Sequence, residues 1–197
     1  MKRVLICILM LALLLPACAF AESGAAEQLS LTTGLPTDKP YKPLAVLFDN
    51  TADARPQKNM SLADVIYEIE ISNGGYTRYT AIFNDEIPEE VEAVRDARIV
   101  HADVSLDWCA TLVHFGGQKT AGSSVYDYFK TIELNRFDGL ADSKRFYRDL
   151  ERVAPYNVGA RLQTIHEAAE APNAGSLHTP LTFSAENPTI KGDSVRV

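Results

Sequence analysis

Five consecutive apolar residues, Leu44-Ala45-Val46-Leu47-Phe48, run straight into Asp49-Asn50. An apolar run this short, with no alternation, is the pattern of a strand covered on both faces. It demands a sheet with layers above and below, and places the chain in the α/β (or α+β) class. Such folds bind ligands in loops at the carboxyl ends of their strands, which directs attention to Asp49 and Asn50.

The following residues fill in the layers. Val65, Tyr67, Ile69 and Ile71 alternate with Ile66, Glu68, Glu70 and Ser72, and Asn73-Gly74-Gly75 reverses the chain into the β-branched and aromatic stretch Tyr76 to Phe83. This predicts a hairpin over 65–83, with glycine supplying the positive φ of the turn. Ser61-Leu62-Ala63-Asp64 caps a short turn ahead of it. Spacing at Ala97, Val100 and Val104 predicts a helix over 97–106, and Cys109 to Phe115, closed by Gly116-Gly117, predicts a strand. Two further helices are expected: 143–153, with Phe146, Leu150 and Val153 on one stripe before Pro155, and 160–171, with Leu162, Ile165 and Ala169 inward before Pro172. The expected architecture is a mixed β-sheet with a central hairpin and flanking helices over 44–171. Residues 172–197 read as a linker and the start of a truncated second domain, with Ser194 to Val197 as a strand that simply ends.

Lys2 and Arg3 precede an apolar run from Val4 to Leu15, too short to span a bilayer and typical of a secretory signal over residues 1–21. Two processing sites compete: Ala19-Phe20-Ala21 before Glu22, and Leu15-Pro16-Ala17-Cys18, a lipobox-like frame that would acylate Cys18. The reading is therefore an exported cell-envelope protein, lipid-anchored to the membrane through Cys18 or released. Residues 22–43 are small, polar and proline-bearing, and read as a tether.

Removing residues 1–21 leaves 17 Lys and Arg against 26 Asp and Glu, a net charge of −9. A chain this acidic lacks the broad basic face of a nucleic-acid binder. The mature chain retains Cys109 as its sole cysteine past the leader, which excludes a disulfide framework; in its apolar segment Cys109 reads as a buried, inert thiol.

Against that acidic background, arginines stand beside glycines, prolines and asparagines: Arg55 in Ala54-Arg55-Pro56-Gln57, Arg78 after Gly74-Gly75-Tyr76-Thr77, and Arg95 and Arg98 in Val94-Arg95-Asp96-Ala97-Arg98. A guanidinium is permanently charged and presents a planar fork of donors, suited to carboxylate or phosphate. The candidate ligand-binding set is Arg55, Arg78, Arg95 and Arg98, with Asp49, Asn50, Glu68 and His114 as orienting or polar partners. Each has a structural reading beside the functional one: Asx turns for Asp49 and Asn50, a cross-strand pair with Glu68 or Glu70 for Arg78, and a buried or capping role for His114. No zinc spacing, phosphate loop or nucleophile elbow occurs. Magnesium ligation through Asp49, Asp64 or Asp96 stays open, but no metal and no cofactor is assigned.

In order along the chain stand Gly34-Leu35-Pro36, Ala45-Val46-Leu47-Phe48-Asp49-Asn50, Ala54-Arg55-Pro56-Gln57, Ala63-Asp64-Val65-Ile66-Tyr67-Glu68, Gly74-Gly75-Tyr76-Thr77-Arg78, Val94-Arg95-Asp96-Ala97-Arg98, His114-Phe115-Gly116-Gly117, Phe146-Tyr147-Arg148-Asp149 and Ala154-Pro155-Tyr156-Asn157. In these motifs, over about residues 34 to 190, the chain resembles the YerB-like family of bacterial lipoproteins. The resemblance implies an exported, usually lipid-anchored protein with an amino-terminal α/β domain and a β-rich second domain, and no established activity. Two positions depart from the family pattern. Glu92-Ala93-Val94-Arg95-Asp96 stands where the family tends to have Gly-Pro-Val-Arg-Ser, and Ala154-Pro155-Tyr156-Asn157 where it tends to have Ala-Pro-His-Asn. A mechanism relying on that histidine fails here.

Three functions compete. The first is a non-enzymatic module that binds an anionic envelope ligand or envelope protein through an arginine-lined cleft. The second is a phosphate-dependent envelope enzyme loosely resembling the LytR-CpsA-Psr phosphotransferases in the order of Asp49, Arg55, Asp64, Arg95 and Asp96, with arginines neutralising a pyrophosphate and carboxylates holding a metal. The third is a structural module in which acids of the same chain neutralise the arginines.

Overall fold

The computed structural model describes residues 28–72 and 74–183. The leader with Cys18, Asn73 and the expected strand at 194–197 lie outside the described residues. The main sheet has five strands in the order β2-β3-β1-β5-β8, formed by β1 (Leu44–Asp49), β2 (Val65–Glu70), β3 (Thr77–Phe83), β5 (Thr111–His114) and β8 (Arg136–Asp138). β1 is antiparallel to β3 and parallel to β5, so the sheet is mixed. β1 lies at its centre, and the apolar run that defines it is buried throughout, Leu44 to Phe48 each at 0% exposure.

Alternation along β1 divides the core in two. Leu44, Val46 and Phe48 face a layer made by a small sheet, β4 (Val91–Glu92), β10 (Val158–Ala160) and β9 (Phe146–Arg148), with helix α3 (Leu162–Ala168). Ala45 and Leu47 face the opposite layer, which holds helix α1 (Ile99–Asp107) and the single turn α2 (Val125–Tyr128). A short ribbon of β6 (Lys119–Thr120) and β7 (Ser123–Ser124) precedes that turn. Within the stretch read as a tether, the part from Gln28 onward is fastened to the domain: Ser30 and Thr33 donate to Asp85, and Thr32 donates to Asp64.

The hairpin forms with Glu70 opposite Thr77, closed by the Ile71 amide to the Tyr76 carbonyl, and Gly75 takes φ +74°. Helix α3 buries Leu162 and Ile165 as its spacing requires, within shorter limits.

Three local readings change. Residues 143–153 form no helix. Phe146 to Arg148 are a strand pairing with β10, and Leu150 and Val153 stand 93% and 77% exposed. The apparent stripe arose because one buried residue and two loop residues share helical spacing, while the ladder to Val158–Ala160 satisfies the backbone instead. Helix α1 is present but turns a polar face inward: His101, Ala102 and Ser105 are buried and Val100 is exposed. Cys109 is half-buried rather than buried. It stands just past α1 at φ +49°, where the Cys109 amide bonds the Leu106 carbonyl and the Ala110 amide bonds that of Ser105, and the chain turns into β5. A left-handed residue at that place commonly closes a helix.

Candidate functional site

Parallel strands β1 and β5 pair only over their first residues, Leu44–Val46 with Thr111–Val113. Beyond that point the segment 93–97 inserts between them: the Asp49 amide bonds the Ala93 carbonyl, the Arg95 amide bonds that of Leu47, the Phe115 amide bonds that of Arg95, and the Ala97 amide bonds that of Gly116. The crevice where an α/β sheet ordinarily receives a ligand is filled by the protein's own backbone. Asp49 and His114, which end the two flanking strands, are accordingly 3% and 0% exposed.

Three of the four candidate arginines meet acids at this plug. Arg78 is 4% exposed; its Nη2 lies 2.8 Å from Asp96 Oδ1 and its Nη1 donates to the Asp96 carbonyl at 2.7 Å. Arg98 Nε donates to Asp96 Oδ2 at 3.3 Å. Arg95 Nε lies 2.7 Å from Asp49 Oδ2, its Nη2 is 3.9 Å from Asp96 Oδ1, and its guanidinium covers the Tyr156 ring at 5.8 Å. The other Asp49 oxygen accepts the Thr51 amide at 2.7 Å, an Asx turn. Burial raises the Asp96 carboxyl, and the bond from Arg78 with the charges of Arg78, Arg95 and Arg98 outweighs it, so Asp96 sits below the usual carboxylate range.

The cross-strand reading of Arg78 fails for a geometric reason. Arg78 faces Ile69 and Asp49 across the ladder, while Glu68 faces Tyr79 and Glu70 faces Thr77. Alternation therefore puts both glutamates on the other face of the hairpin.

Two histidines lie in the layer under α1. His114 Nδ1 bonds the Gly116 carbonyl at 2.7 Å, and the ring packs 5.6 Å from Phe129. His101 Nδ1 accepts the Arg98 amide at 3.0 Å, fixing the start of the helix. The Nε2 atom of each is buried without a partner in the described protein. Burial, aided by the charges of Arg78 and Arg98, pushes His101 down to about 3; burial likewise lowers His114.

The remaining candidates form a second, separate set at the surface. Asn50 donates through Nδ2 to Glu68 Oε1 at 2.9 Å and to Thr77 Oγ1 at 2.6 Å. Its carbonyl and Oδ1 accept Arg55 Nη2 at 3.2 and 2.9 Å. Arg55 is exposed and has no carboxylate partner among the described residues. It borders two grooves: one of about 380 Å³ with Asn50, Glu68, Tyr76 and Thr77, and one of about 710 Å³ between residues 53–56 and 149–156.

Residues 32–175 match the family described as "Protein of unknown function (DUF3048) N-terminal domain". The chain belongs to the DUF3048 family. It is 33% identical over 145 residues to "Putative lipoprotein YerB" of Bacillus subtilis (strain 168), covering 70% of this chain and 41% of the relative. The crystal structure of YerB protein from Bacillus subtilis superposes with a TM-score of 0.69 at 28% identity, covering 81% of this chain and 55% of that one. The chain thus spans about half or less of the relative it matches, and the shared portion is the family's mixed α/β domain.

Within this DUF3048 domain, the acids that follow a phosphotransferase-like order along the chain do not all converge: Asp49 and Asp96 meet around Arg95, and Asp64 stands apart. Asp64 stands beside the end of β3, level with the start of β1 and about 17 Å of strand from Asp49. There it accepts the Thr32 hydroxyl and the amides of Asn84 and Asp85. Arg152 and Tyr156 are the residues sequence reading missed. Arg152 Nη2 donates to the Ala54 carbonyl at 2.5 Å, and its Nη1 donates to that of Pro56 at 3.1 Å and reaches Glu92 Oε2 at 3.4 Å. Read as part of a helix, residue 152 could not signal that it ties two distant loops; the available sign was Pro155 closing a loop rather than a helix.

Proposed function

We propose that this domain is a non-enzymatic binding module of the cell envelope, exported by its leader and held at the membrane through Cys18, and that Arg55 receives an anionic group of its ligand. The arrangement of Arg55 carries this reading. Neutral acceptors of Asn50 hold Nη2 of its guanidinium, which leaves the Nε and Nη1 donors and a charge with no carboxylate partner among the described residues beside open grooves. The other candidate arginines have their charge met by Asp49 and Asp96, which supports a structural role for that set and moves the binding reading from four arginines to one. The lipobox-like Leu15-Pro16-Ala17-Cys18 and the name of the Bacillus subtilis relative support the anchor.

Titration calorimetry with soluble carboxylate-bearing peptidoglycan fragments tests the site. Arg55→Ala should weaken binding about tenfold or more, the scale of a charge-assisted hydrogen bond, while leaving the melting temperature unchanged. Equal affinity in the two proteins removes the proposal. Labelling with radioactive palmitate tests the anchor: label that persists in Cys18→Ser places the lipid elsewhere.

A further inference from the structure

The larger groove beside Arg55 has a charge pattern that specifies more than an anion. Arg152 joins its two walls, bonding the carbonyls of Ala54 and Pro56 and lying 3.4 Å from Glu92. Its charge is met within the protein. Arg55 is then the cation offered to the groove, and it is matched against Asp53, Asp149 and Glu151, none of which has an ion-pair partner among the described residues. Asp149 spends one oxygen on the Glu151 amide at 2.9 Å and keeps the other.

A ligand that is only anionic meets three carboxylates for one guanidinium, and like charges juxtaposed across an interface repel. A polyphosphate or an acidic glycan polymer suits this groove poorly. A ligand that carries ammonium groups beside a single carboxylate satisfies both signs. Pro56, Val153 and Tyr156 line the same groove, and Val153 is 77% exposed with Leu150 at 93% on the same loop. Apolar side chains left uncovered beside an ionic groove match the aliphatic stem of a short peptide. The volume, about 710 Å³, falls within the range of small-ligand sites.

We propose that the groove between residues 53–56 and 149–156 binds a peptide bearing both a free carboxylate and a free ammonium group, with Arg55 taking the carboxylate and Asp53, Asp149 and Glu151 the ammonium. The carboxylate half rests on the reading of Arg55 above; the ammonium half is independent of it.

The test is calorimetry with the tripeptide Ala-Lys-Ala carrying free termini, the same peptide acetylated at both amines, and its carboxyl-terminal amide. Each is titrated into the wild type, Arg55→Ala, and an Asp53→Asn, Glu151→Gln double variant, all checked for an unchanged melting temperature. In the wild type, acetylation and amidation should each weaken binding about tenfold or more. The acetylation penalty should shrink below about twofold in the double variant, and the amidation penalty likewise in Arg55→Ala. If the acetylated peptide binds the wild type as tightly as the free one while amidation still matters, the inference falls and the Arg55 reading stands. If amidation has no effect, the Arg55 reading falls. No binding of any of the three at millimolar concentration overturns the peptide class.

Discussion

Asp96 Oδ1 lies 2.8 Å from Nη2 of Arg78, a guanidinium that reaches the plug between β1 and β5 from β3, on the far side of β1, and is 4% exposed. Removing one member of a buried pair strands the other, so Asp96→Ala should cost about 3–5 kcal/mol. Arg78→Ala should cost a similar amount, and the double variant clearly less than the sum. Urea unfolding of the three variants measures this, and additive losses would show that the two side chains do not interact.

Acid should destabilise the fold well above the carboxylate range. His101 titrates at about 3 in the folded chain and at about 6.5 unfolded, and His114 is lowered in the same direction. Between those values the unfolded chain binds protons that the native one refuses. Stability is therefore full above about pH 6.5 and falls as pH drops toward 3, by up to about 1.4 kcal/mol per unit for His101. Asp96, lowered instead, adds its loss only as pH falls below its unfolded value near 3.8. Melting temperatures from pH 7.5 to 4 should decline, and His101→Leu should flatten the curve even if it lowers the plateau.

Cys109 holds φ +49° immediately after α1. Cys109→Ala and Cys109→Gly delete the same thiol and differ in their tolerance of that conformation, so the glycine variant should be the more stable by about 1 kcal/mol. Chemical denaturation of the pair decides it; an alanine variant at least as stable as the glycine one contradicts a left-handed closure.

Arg152 ties residues 54 and 56 to the loop before β10. Arg152→Ala should cost about 1–3 kcal/mol by leaving Glu92 and two carbonyls short of a partner. Amide hydrogen exchange should rise in both 51–57 and 149–156 together. A rise confined to the second loop would show that Arg152 does not join them.

Some of this domain was legible residue by residue. Leu44 to Phe48 could only be a covered strand, because five apolar side chains without alternation need contacts on both faces. The 65–83 hairpin was equally local, since period-two alternation and a Gly-Gly turn fix register and reversal within nineteen residues. The segment 143–153 was not legible: its helical spacing and its strand pairing are both compatible with the sequence, and only the ladder to Val158–Ala160 chooses. The polar face of α1 was hidden similarly, because a histidine that caps its own helix and a serine that bonds back to it count as surface residues in a hydrophobic pattern.

The sequence alone determined the class of the fold, its family and the presence of arginines beside chain-turning motifs, because those properties follow from local periodicity and short-range backbone preference. Only the tertiary structure decided which arginines are spent. The sheet places Arg78 opposite Asp49 rather than Glu68, and the inserted segment brings Asp96 under three guanidinium groups. Arg55, bound by neutral Asn50, keeps free donors and an unmatched charge beside the groove, since charge pairing depends on distances across strands that spacing along the chain does not encode.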